Sequence, residues 1–172
     1  PPILGALMVN ALVASSSVLV PTQTEFLFLK GLEGMVRTFS IMKKADAACN
    51  INYTIVPTMY DKRTKASRTS LDFLKAHYKD NLWNKQIPID TLFRESSQRG
   101  MPITMLDSKC RGAVAYYELL VDIISKELKS NPEKVTPNVA AIVNLKDDET
   151  VATQKEHNDI DLVANDMGSM LN

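Results

Sequence analysis

Polar side chains recur at the ends of three predicted strands in this chain. The three segments are Pro21-Thr22-Gln23, Thr58-Met59-Tyr60-Asp61 and Pro88-Ile89-Asp90. In open α/β sheets, ligands bind outside the carboxyl ends of the strands, so these hydroxyl, amide and carboxylate groups predict one shared ligand site. Ordinary turn chemistry is the alternative, because Asp61 and Asp90 can cap turns and proline commonly ends a strand. The residues alone leave both interpretations open.

The three strands follow from short apolar runs that end in proline. Residues 18–20 predict a buried strand with Pro21 at its exit, where no ladder hydrogen bond is required. Residues 53–56 are β-branched and aromatic and predict a second strand that ends near Pro57. Residues 82–87 predict a third short strand before Pro88.

Helical periodicity separates these strands. Residues 3–14 predict a short buried helix, and an amphipathic helix of about five turns begins at Glu25. Further helices are predicted over residues 68–78 and 112–128, and Asp90 with Thr91 can cap a helical turn between them. The inward residues are predicted to be Phe28, Leu32, Met35, Val36, Phe39, Met42, Leu71, Leu74, Val114, Tyr117, Val121, Ile124 and Leu128. Helices alternating with strands predict an α/β fold with a parallel sheet.

Charge is divided unevenly between the body and the C-terminal segment. Residues 1–130 carry 17 basic and 12 acidic side chains, or +5, and residues 131–172 carry 3 and 8, or −5. The prolines and acidic run of residues 131–172 predict a flexible acidic tail. A basic body permits contact with a polyanion, although a solvated surface is equally compatible with +5. The basic residues form two groups: Lys62, Arg63, Lys65 and Arg68, and Arg94, Arg99, Lys109 and Arg111.

Several classes of site and location are not supported by the residues. Cys49 and Cys110 have no CxxC spacing, and His77 and His157 lie far apart, so neither a metal site nor a disulfide framework is expected. Reduced thiols fit a cytoplasmic protein. No apolar run reaches the 18 or more residues of a membrane span, and the opening lacks the basic start of a signal peptide. The start at Pro1-Pro2 without an initiator Met suggests a fragment or a processed product.

Four segments in order resemble the ParA/Soj family of deviant Walker partitioning ATPases. They are PPILGALMVNALVASSSVLVPTQTEF, TIVPTMYDKRT, QIPIDTLFRESSQRGMPI and SKCRGAVAYYELL, and together they span roughly residues 1–128. The resemblance implies that residues 1–130 are the C-terminal half of a doubly wound, mostly parallel P-loop NTPase-like fold. Residues 131–172 would then be an appended tail.

The resemblance also implies how the nucleotide would be shared between the two halves of the fold. The intact family binds ATP and Mg²⁺ and hydrolyses ATP, but this sequence contains no GxxxxGK[ST] run, so no catalytic residue is assigned and the chain alone is expected to be inactive. The adenine side would be formed by Thr58, Met59, Asp61, Pro88 and Asp90. Residues near a nucleotide-dependent dimer interface would be Pro1, Pro2, Gln23 and Glu25.

Family likeness further implies a homodimer that grips nucleoid DNA without sequence preference through surface cations. Many members read IPRN where this chain reads IPID, so Ile89 replaces an Arg and that DNA contact is not carried over. The remaining DNA-binding candidates are Arg63, Arg68, Arg94, Lys109 and Arg111. A ParB-like or cargo-adaptor protein would trigger release, with a plasmid, a chromosome origin or another large assembly as cargo.

Three other functions stay open from the sequence. A catalytically dead ParA-like binding module would keep the fold without hydrolysis. A MinD-like membrane-cycling ATPase would need a basic amphipathic C-terminal helix, but residues 156–172 contain no Lys or Arg. A relative that uses ATP for metabolism would be an amidating ligase or a nitrogenase-type reductase. The reductase would need cluster-binding cysteines, and Cys49 and Cys110 do not follow that pattern.

Overall fold

A computed structural model describes residues 5–45 and 51–130. The chain divides into two compact units, residues 1–115 and 116–172, and the second is described only as far as residue 130. The elements in chain order are α1 Ala6–Ala14, β1 Val18–Gln23, α2 Phe26–Ala45, β2 Tyr53–Thr58, α3 Lys65–His77, a 3-10 turn Lys79–Asn81, α4 Leu92–Gln98, α5 Ile103–Leu106 and α6 Arg111–Ser130. The prediction for the tail, residues 131–172, lies outside the described residues.

The two strands pair in parallel, as an α/β fold requires. Their register runs from Val18 opposite Tyr53 to Gln23 opposite Thr58, so both carboxyl ends lie at one edge. Helix α2 provides the crossover that parallel strands need.

Pro21 lies within β1 rather than at its exit, because the strand continues to Gln23. The amides of Val18 and Thr24 donate toward β2, to Asn52 O at 2.8 Å and Thr58 O at 3.1 Å. Successive amides of a strand alternate in direction, so the nitrogen of Pro21 points away from β2. Its missing N–H therefore removes no bond from this ladder.

The predicted third strand is present only as two isolated parallel bridges, Ile55 with Leu82 and Tyr60 with Pro88. The carbonyls of Ile55 and Pro57 face this segment, where they accept from Trp83 N at 2.9 Å and Ile87 N at 2.8 Å. The nitrogen of Pro57 faces the same side and cannot donate, which interrupts a continuous ladder. Prediction of a regular strand over residues 82–87 was therefore wrong, although the segment runs parallel to β2, as the predicted parallel sheet requires.

An apolar cluster packs the two strands against α1, α2 and α3. Its most buried members are Leu12, Val20, Leu29, Leu32, Phe39, Ile55 and Leu74. Phe39 of α2 and Tyr53 of β2 pack with ring centroids 5.1 Å apart. Met35, Val36 and Met42 pack against this cluster as predicted. The inward positions of Leu32, Phe39, Leu71 and Leu74 are also confirmed.

Three helix predictions need correction. Helix α1 was expected to be buried, but Leu12 is its only buried residue and Leu7 is 78% exposed. A helix that is apolar on every side can bury only the side that meets the core. Phe28 of α2 is exposed and Leu29 takes the inward place, because Leu29 lies three residues before the buried Leu32 and so falls on the same face of the helix. Helix α3 begins at Lys65 rather than residue 68, because Thr64 caps it.

The start of α6 also differs from the prediction, because the packing of helices decides which of its residues face inward. Val114 was predicted to point inward but is exposed, whereas Ala113 and Ala115 are buried. At Gly112, an added Cβ would stand 2.6 Å from the ring of Phe93 and 3.1 Å from Ile103. This close approach of α6 to α4 and α5 places small residues inward and turns Val114 to the surface. The side chain of Leu128 lies outside the described part of the structure.

Leu74→Ala is expected to lower the free energy of unfolding by about 2–5 kcal/mol, because Leu74 is fully buried in the cluster and alanine leaves a cavity. Leu7→Ala removes the same atoms from an exposed position of α1 and should change the free energy of unfolding by less than about 0.5 kcal/mol. Denaturant titration of both variants measures the difference. Equal effects would contradict the assigned core.

Candidate functional site at the carboxyl ends of the strands

A cavity of about 460 Å³ opens where β1 and β2 end. Its lining combines apolar side chains with hydroxyl and carboxylate groups from three loops and the first turns of α2 and α3. The lining residues are Thr24, Glu25, Phe26, Leu27, Met59, Asp61, Thr64, Ala66, Ser67 and Ile89. A volume of several hundred Å³ with a few convergent polar groups is typical of a small-molecule site.

Thr24 links the exits of the two strands. Its amide donates to Thr58 O at 3.1 Å, which extends the strand ladder by one bond beyond Gln23. The Thr24 side chain is buried, and its hydroxyl lies 3.4 Å from Thr58 O and 3.5 Å from Met59 O. The same hydroxyl is hydrogen-bonded to the hydroxyl of Ser67 in α3. The first turn of α3 is thereby attached to both strand ends.

Helix α3 begins at the cavity because of a local capping arrangement. The Thr64 hydroxyl accepts from Ser67 N at 3.3 Å, as an N-cap side chain does, and donates to Asp61 O at 3.2 Å. Ser67 also accepts from Asp61 N at 3.1 Å through its own hydroxyl. The second part of the loop between β2 and α3, from Asp61 onward, is therefore tied to the first turn of the helix.

Met59 adopts a left-handed backbone conformation, with φ of 53°. A residue with a long side chain rarely occupies this region, and such conformations persist only where surrounding contacts impose them. Here Tyr60 N donates to Ile87 O at 3.1 Å, and the preceding carbonyl of Thr58 accepts from Thr24 N. This backbone turn exposes the Met59 side chain at the cavity wall.

Asp61 is held as a carboxylate by Arg63. The guanidinium donates to both carboxylate oxygens, with Nη2–Oδ2 at 2.8 Å and Nε–Oδ1 at 3.0 Å, and Arg63 N donates to Oδ1 at 3.0 Å. The side-chain hydrogen bonds, then the backbone bond, lower the pKa of Asp61 from its ordinary value to about 2. At neutral pH this carboxylate is ionised, with its charge offset by the neighbouring guanidinium.

Asp90 is engaged by backbone groups. Its Oδ1 accepts from Leu92 N at 3.1 Å and its Oδ2 from Gly112 N at 3.1 Å. The capping role considered for Asp90 is confirmed, and the same carboxylate also ties the start of α6 to the start of α4. Thr91 makes no side-chain cap. Arg111 Nη2 donates to Ile89 O at 3.4 Å beside this arrangement.

Comparison with known proteins gives the family. A family model described as an AAA domain matches residues 1–55. The chromosome partitioning protein ParA of Caulobacter vibrioides is 35% identical over 127 residues, or 74% of this chain and 48% of that protein. The chromosome-partitioning ATPase Soj of Treponema pallidum is 32% identical over 130 residues, or 74% of this chain and 50% of that protein. The chain belongs to the ParA/Soj family.

A third relative is consistent with this membership. The sporulation initiation inhibitor protein Soj of Bacillus subtilis is 32% identical over 123 residues, or 72% of this chain and 49% of that protein. The chain thus spans about half the length of the curated relatives it matches. Likeness to these relatives confirms the resemblance found in the four sequence segments.

The structure brings only part of the predicted ParA/Soj site to the cavity. Met59, Asp61 and Glu25 line it. Thr58 contributes its carbonyl to the Thr24 bonds, and Gln23 ends β1 opposite Thr58. Pro88 pairs with Tyr60, and Asp90 is directed to backbone amides. Pro1 and Pro2 lie outside the described residues, so these base-side and interface roles stay predictions.

Thr24 and Ser67 were not singled out from the sequence, although they hold the cavity together. The Thr24 hydroxyl follows directly on Pro21-Thr22-Gln23, which is a signal that could have been used. Ser67 is 43 residues away, and nothing in its local sequence connects it to Thr24. Phe26 and Leu27 were also missed, because exposed apolar residues in the first turn of an amphipathic helix carry no site signature.

The candidate DNA-binding residues are exposed side chains with different local contacts. Arg63 binds Asp61, and Arg111 reaches Ile89 O. Arg68, Arg94 and Lys109 are exposed on α3, on α4 and before α6. Outside the candidate group, Arg99 Nη2 lies 3.9 Å from Glu95 Oε2. A role of these side chains in binding the phosphate groups of DNA therefore stays a prediction.

The described residues contain neither a membrane-spanning helix nor a cluster of metal-binding side chains. Residues 5–45 and 51–130 contain no helix that is both long and apolar enough to cross a membrane. Within the same residues, no group of three His, Cys, Asp or Glu side chains is arranged to hold a metal ion.

Arg63→Gln is expected to raise the pKa of Asp61 from about 2 toward its ordinary value of 3.8, because the guanidinium bonds to the carboxylate are lost. A depressed carboxylate pKa gives stabilisation that is present above the unfolded-state value and is lost as pH falls through the folded-state value. In the parent protein that loss should fall between about pH 4 and pH 2, and in the variant it should be smaller, because only the backbone bond from residue 63 to Oδ1 remains. Carboxyl carbon NMR against pH measures the shift.

Arg68→Gln is the matched control, since Arg68 does not contribute to the shift of Asp61. It should leave the Asp61 titration unchanged. An unchanged Asp61 titration in Arg63→Gln would contradict the ion pair as its cause.

Proposed function

We propose that this chain forms the base-binding side of the nucleotide site in a ParA-like partitioning ATPase. The observation that carries the proposal is the cavity at the carboxyl ends of β1 and β2, lined by Met59, Asp61 and Glu25. Ligand binding at that edge is the rule for open α/β sheets. Membership of the ParA/Soj family supports a nucleotide as the ligand.

The chemistry of the lining suits an uncharged purine better than phosphate groups. Phe26, Leu27 and Ile89 offer apolar surface for a flat ring, whereas the hydroxyl groups of the lining are already engaged in hydrogen bonds within the protein. Glu25 places a carboxylate at the wall, Asp61 is already paired with Arg63, and the described lining residues include no Lys, Arg or His that could bind a triphosphate. The residues present therefore fit adenine as the group bound on this side.

In this proposal the phosphate-binding loop and the Mg²⁺ ligands come from another part of the intact protein, because this sequence contains no GxxxxGK[ST] run. Residues 1–130 would be the C-terminal half of a doubly wound, mostly parallel sheet, and residues 131–172 an acidic tail. ATP bound between the halves supplies the phosphoryl group for hydrolysis, while this chain binds and orients the base.

The proposal extends to assembly and cargo. ATP would promote a homodimer with Gln23, Glu25, Pro1 and Pro2 near the interface. The dimer would bind nucleoid DNA in the cytoplasm without sequence preference, through Arg63, Arg68, Arg94, Lys109 and Arg111. A ParB-like or cargo-adaptor protein would stimulate hydrolysis and release, which moves the attached cargo.

Ala66→Phe in the complete protein should weaken ATP binding by about tenfold or more, which corresponds to about 1.4 kcal/mol. Ala66 lines the cavity in the first turn of α3, so an added ring would compete with the base for the same space. Ala76→Phe places the same ring on an exposed position near the end of α3 and should leave affinity unchanged. Calorimetric titration with MgATP measures both.

Equal ATP affinity in the Ala66 and Ala76 variants would contradict the cavity as the base site. ATP binding without hydrolysis in the complete wild-type protein, with or without DNA and an activator, would favour the binding-module alternative instead.

Lys109→Glu combined with Arg111→Glu should weaken DNA binding for all sequences and lower the salt slope by about two, because about two phosphate contacts are lost. Arg63 is left unchanged in this test because it holds Asp61. The control, Lys43→Glu with Lys44→Glu, makes the same change in net charge at the C-terminal end of α2. Filter binding with ATP at several salt concentrations measures both. The same affinity loss in both variants would indicate a net-charge effect and contradict the surface assignment.

A further inference from the structure

Two buried hydroxyl groups connect three separate parts of the chain at the cavity. Thr24 is 1% exposed and Ser67 is 5% exposed, and they are hydrogen-bonded to each other. Each also bonds to the segment 58–61: Thr24 to the carbonyls of Thr58 and Met59, and Ser67 to the amide of Asp61. The contacts therefore form a closed ring of hydrogen bonds that includes residues 58–61.

The hydrogen atoms available determine which hydroxyl donates and which accepts in this ring of hydrogen bonds. Ser67 Oγ accepts from Asp61 N at 3.1 Å, so its own hydrogen is available for Thr24 Oγ1. Thr24 then donates its hydrogen to the carbonyls of Thr58 and Met59, at 3.4 and 3.5 Å. The reverse direction between the hydroxyls would use the single hydrogen of Thr24 and leave both carbonyl contacts without a donor. Only the first direction satisfies every contact.

Met59 lies within this ring of hydrogen bonds and has the least favourable backbone conformation at the site. Met59 has φ of 53°, and the bonds to Thr58 O, Met59 O and Asp61 N lie on both sides of its α-carbon. Bonds on both sides of a left-handed residue oppose its relaxation to an ordinary conformation. The direction of the Met59 side chain into the cavity wall depends on this backbone geometry.

We propose that Thr24 and Ser67 are positioning residues that hold residues 58–61 in the shape that selects the purine base. Selection of the base rests on the proposed function, whereas the conformation of residues 58–61 does not depend on it. A fixed backbone sets the position of the Met59 side chain at the cavity wall, so that this side chain would meet the base in one place. Loss of the hydroxyl pair would reduce discrimination between ATP and GTP, while the phosphate-binding part of the intact site would be unaffected.

Hydrogen exchange of the complete protein tests the positioning directly. Ser67→Ala removes the acceptor of the Asp61 amide, so that amide should exchange at least tenfold faster. Thr24→Val keeps the shape of the side chain and should accelerate exchange in the same segment, and Thr24→Ser, which retains the hydroxyl, should restore protection. Thr22→Val is the matched control, because Thr22 is equally buried in β1 and its hydroxyl bonds to Val20 O at 3.2 Å.

Met59→Gly separates positioning from general destabilisation. Glycine adopts positive φ without steric cost, so the loop would depend less on the hydroxyl pair. Thr24→Val should therefore accelerate exchange at Asp61 less in the Met59→Gly background than in the wild type. Equal acceleration in both backgrounds, or unchanged exchange at Asp61 in both Ser67→Ala and Thr24→Val, would overturn the positioning role.

Nucleotide titration tests the selectivity. The ratio of GTP to ATP dissociation constants should fall at least fivefold in Thr24→Val and remain unchanged in Thr22→Val. An unaltered ratio in Thr24→Val would overturn selection by this loop. If the wild-type protein binds no ATP, the proposed function and the selectivity fail together, and the exchange measurements still decide the positioning role.

Discussion

The parallel pairing of β1 with β2 is the constraint on which the rest of the site depends. Gln23 lies opposite Thr58, so Thr24 and Met59 leave the sheet side by side. The bond from Thr24 N to Thr58 O extends this register into the loops. A shift of one residue would reverse the side on which each side chain lies and would separate the buried hydroxyl of Thr24 from its partners. The cavity is thus a consequence of strand register and of the crossover helix α2.

Backbone chemistry at proline shapes the sheet in two opposite ways. Pro21 directs its nitrogen away from β2 and leaves the β1–β2 ladder intact, whereas Pro57 directs its nitrogen toward residues 82–88 and interrupts their pairing. The segment 82–88 consequently forms two isolated bridges, one with Ile55 of β2 and one with Tyr60 just beyond it. Ile89 is still brought to the cavity, because Ile89 N donates to Tyr60 O at 3.0 Å. A complete third strand is therefore not required to close this side of the site.

Charge at the cavity is organised by short-range contacts. Asp61 is bound by Arg63, which holds its pKa low, and Asp90 is bound by two amides that connect α4 to the start of α6. These carboxylates therefore shape the loops, and the cavity lining, as far as the structure describes it, contains no Lys, Arg or His. Such a lining suits an uncharged ring better than a phosphate group, which is usually bound by cations. This distinction supports the proposed division of a nucleotide site between this chain and a phosphate-binding loop elsewhere in the intact protein.

Local sequence determined the α/β alternation, the strands β1 and β2, the five-turn helix α2 and the family, because strand propensity, helical periodicity and ordered motifs depend on neighbours in the chain. It also predicted Met59 and Asp61 at the end of a strand, where they line the cavity. Tertiary structure decided which residues of α2 and α6 face inward, since Leu29 replaced Phe28 and Gly112 meets Phe93 only after the helices pack. It alone joined Thr24 to Ser67 across 43 residues, because a hydrogen bond between distant segments depends on their position in space and leaves no local pattern in the sequence.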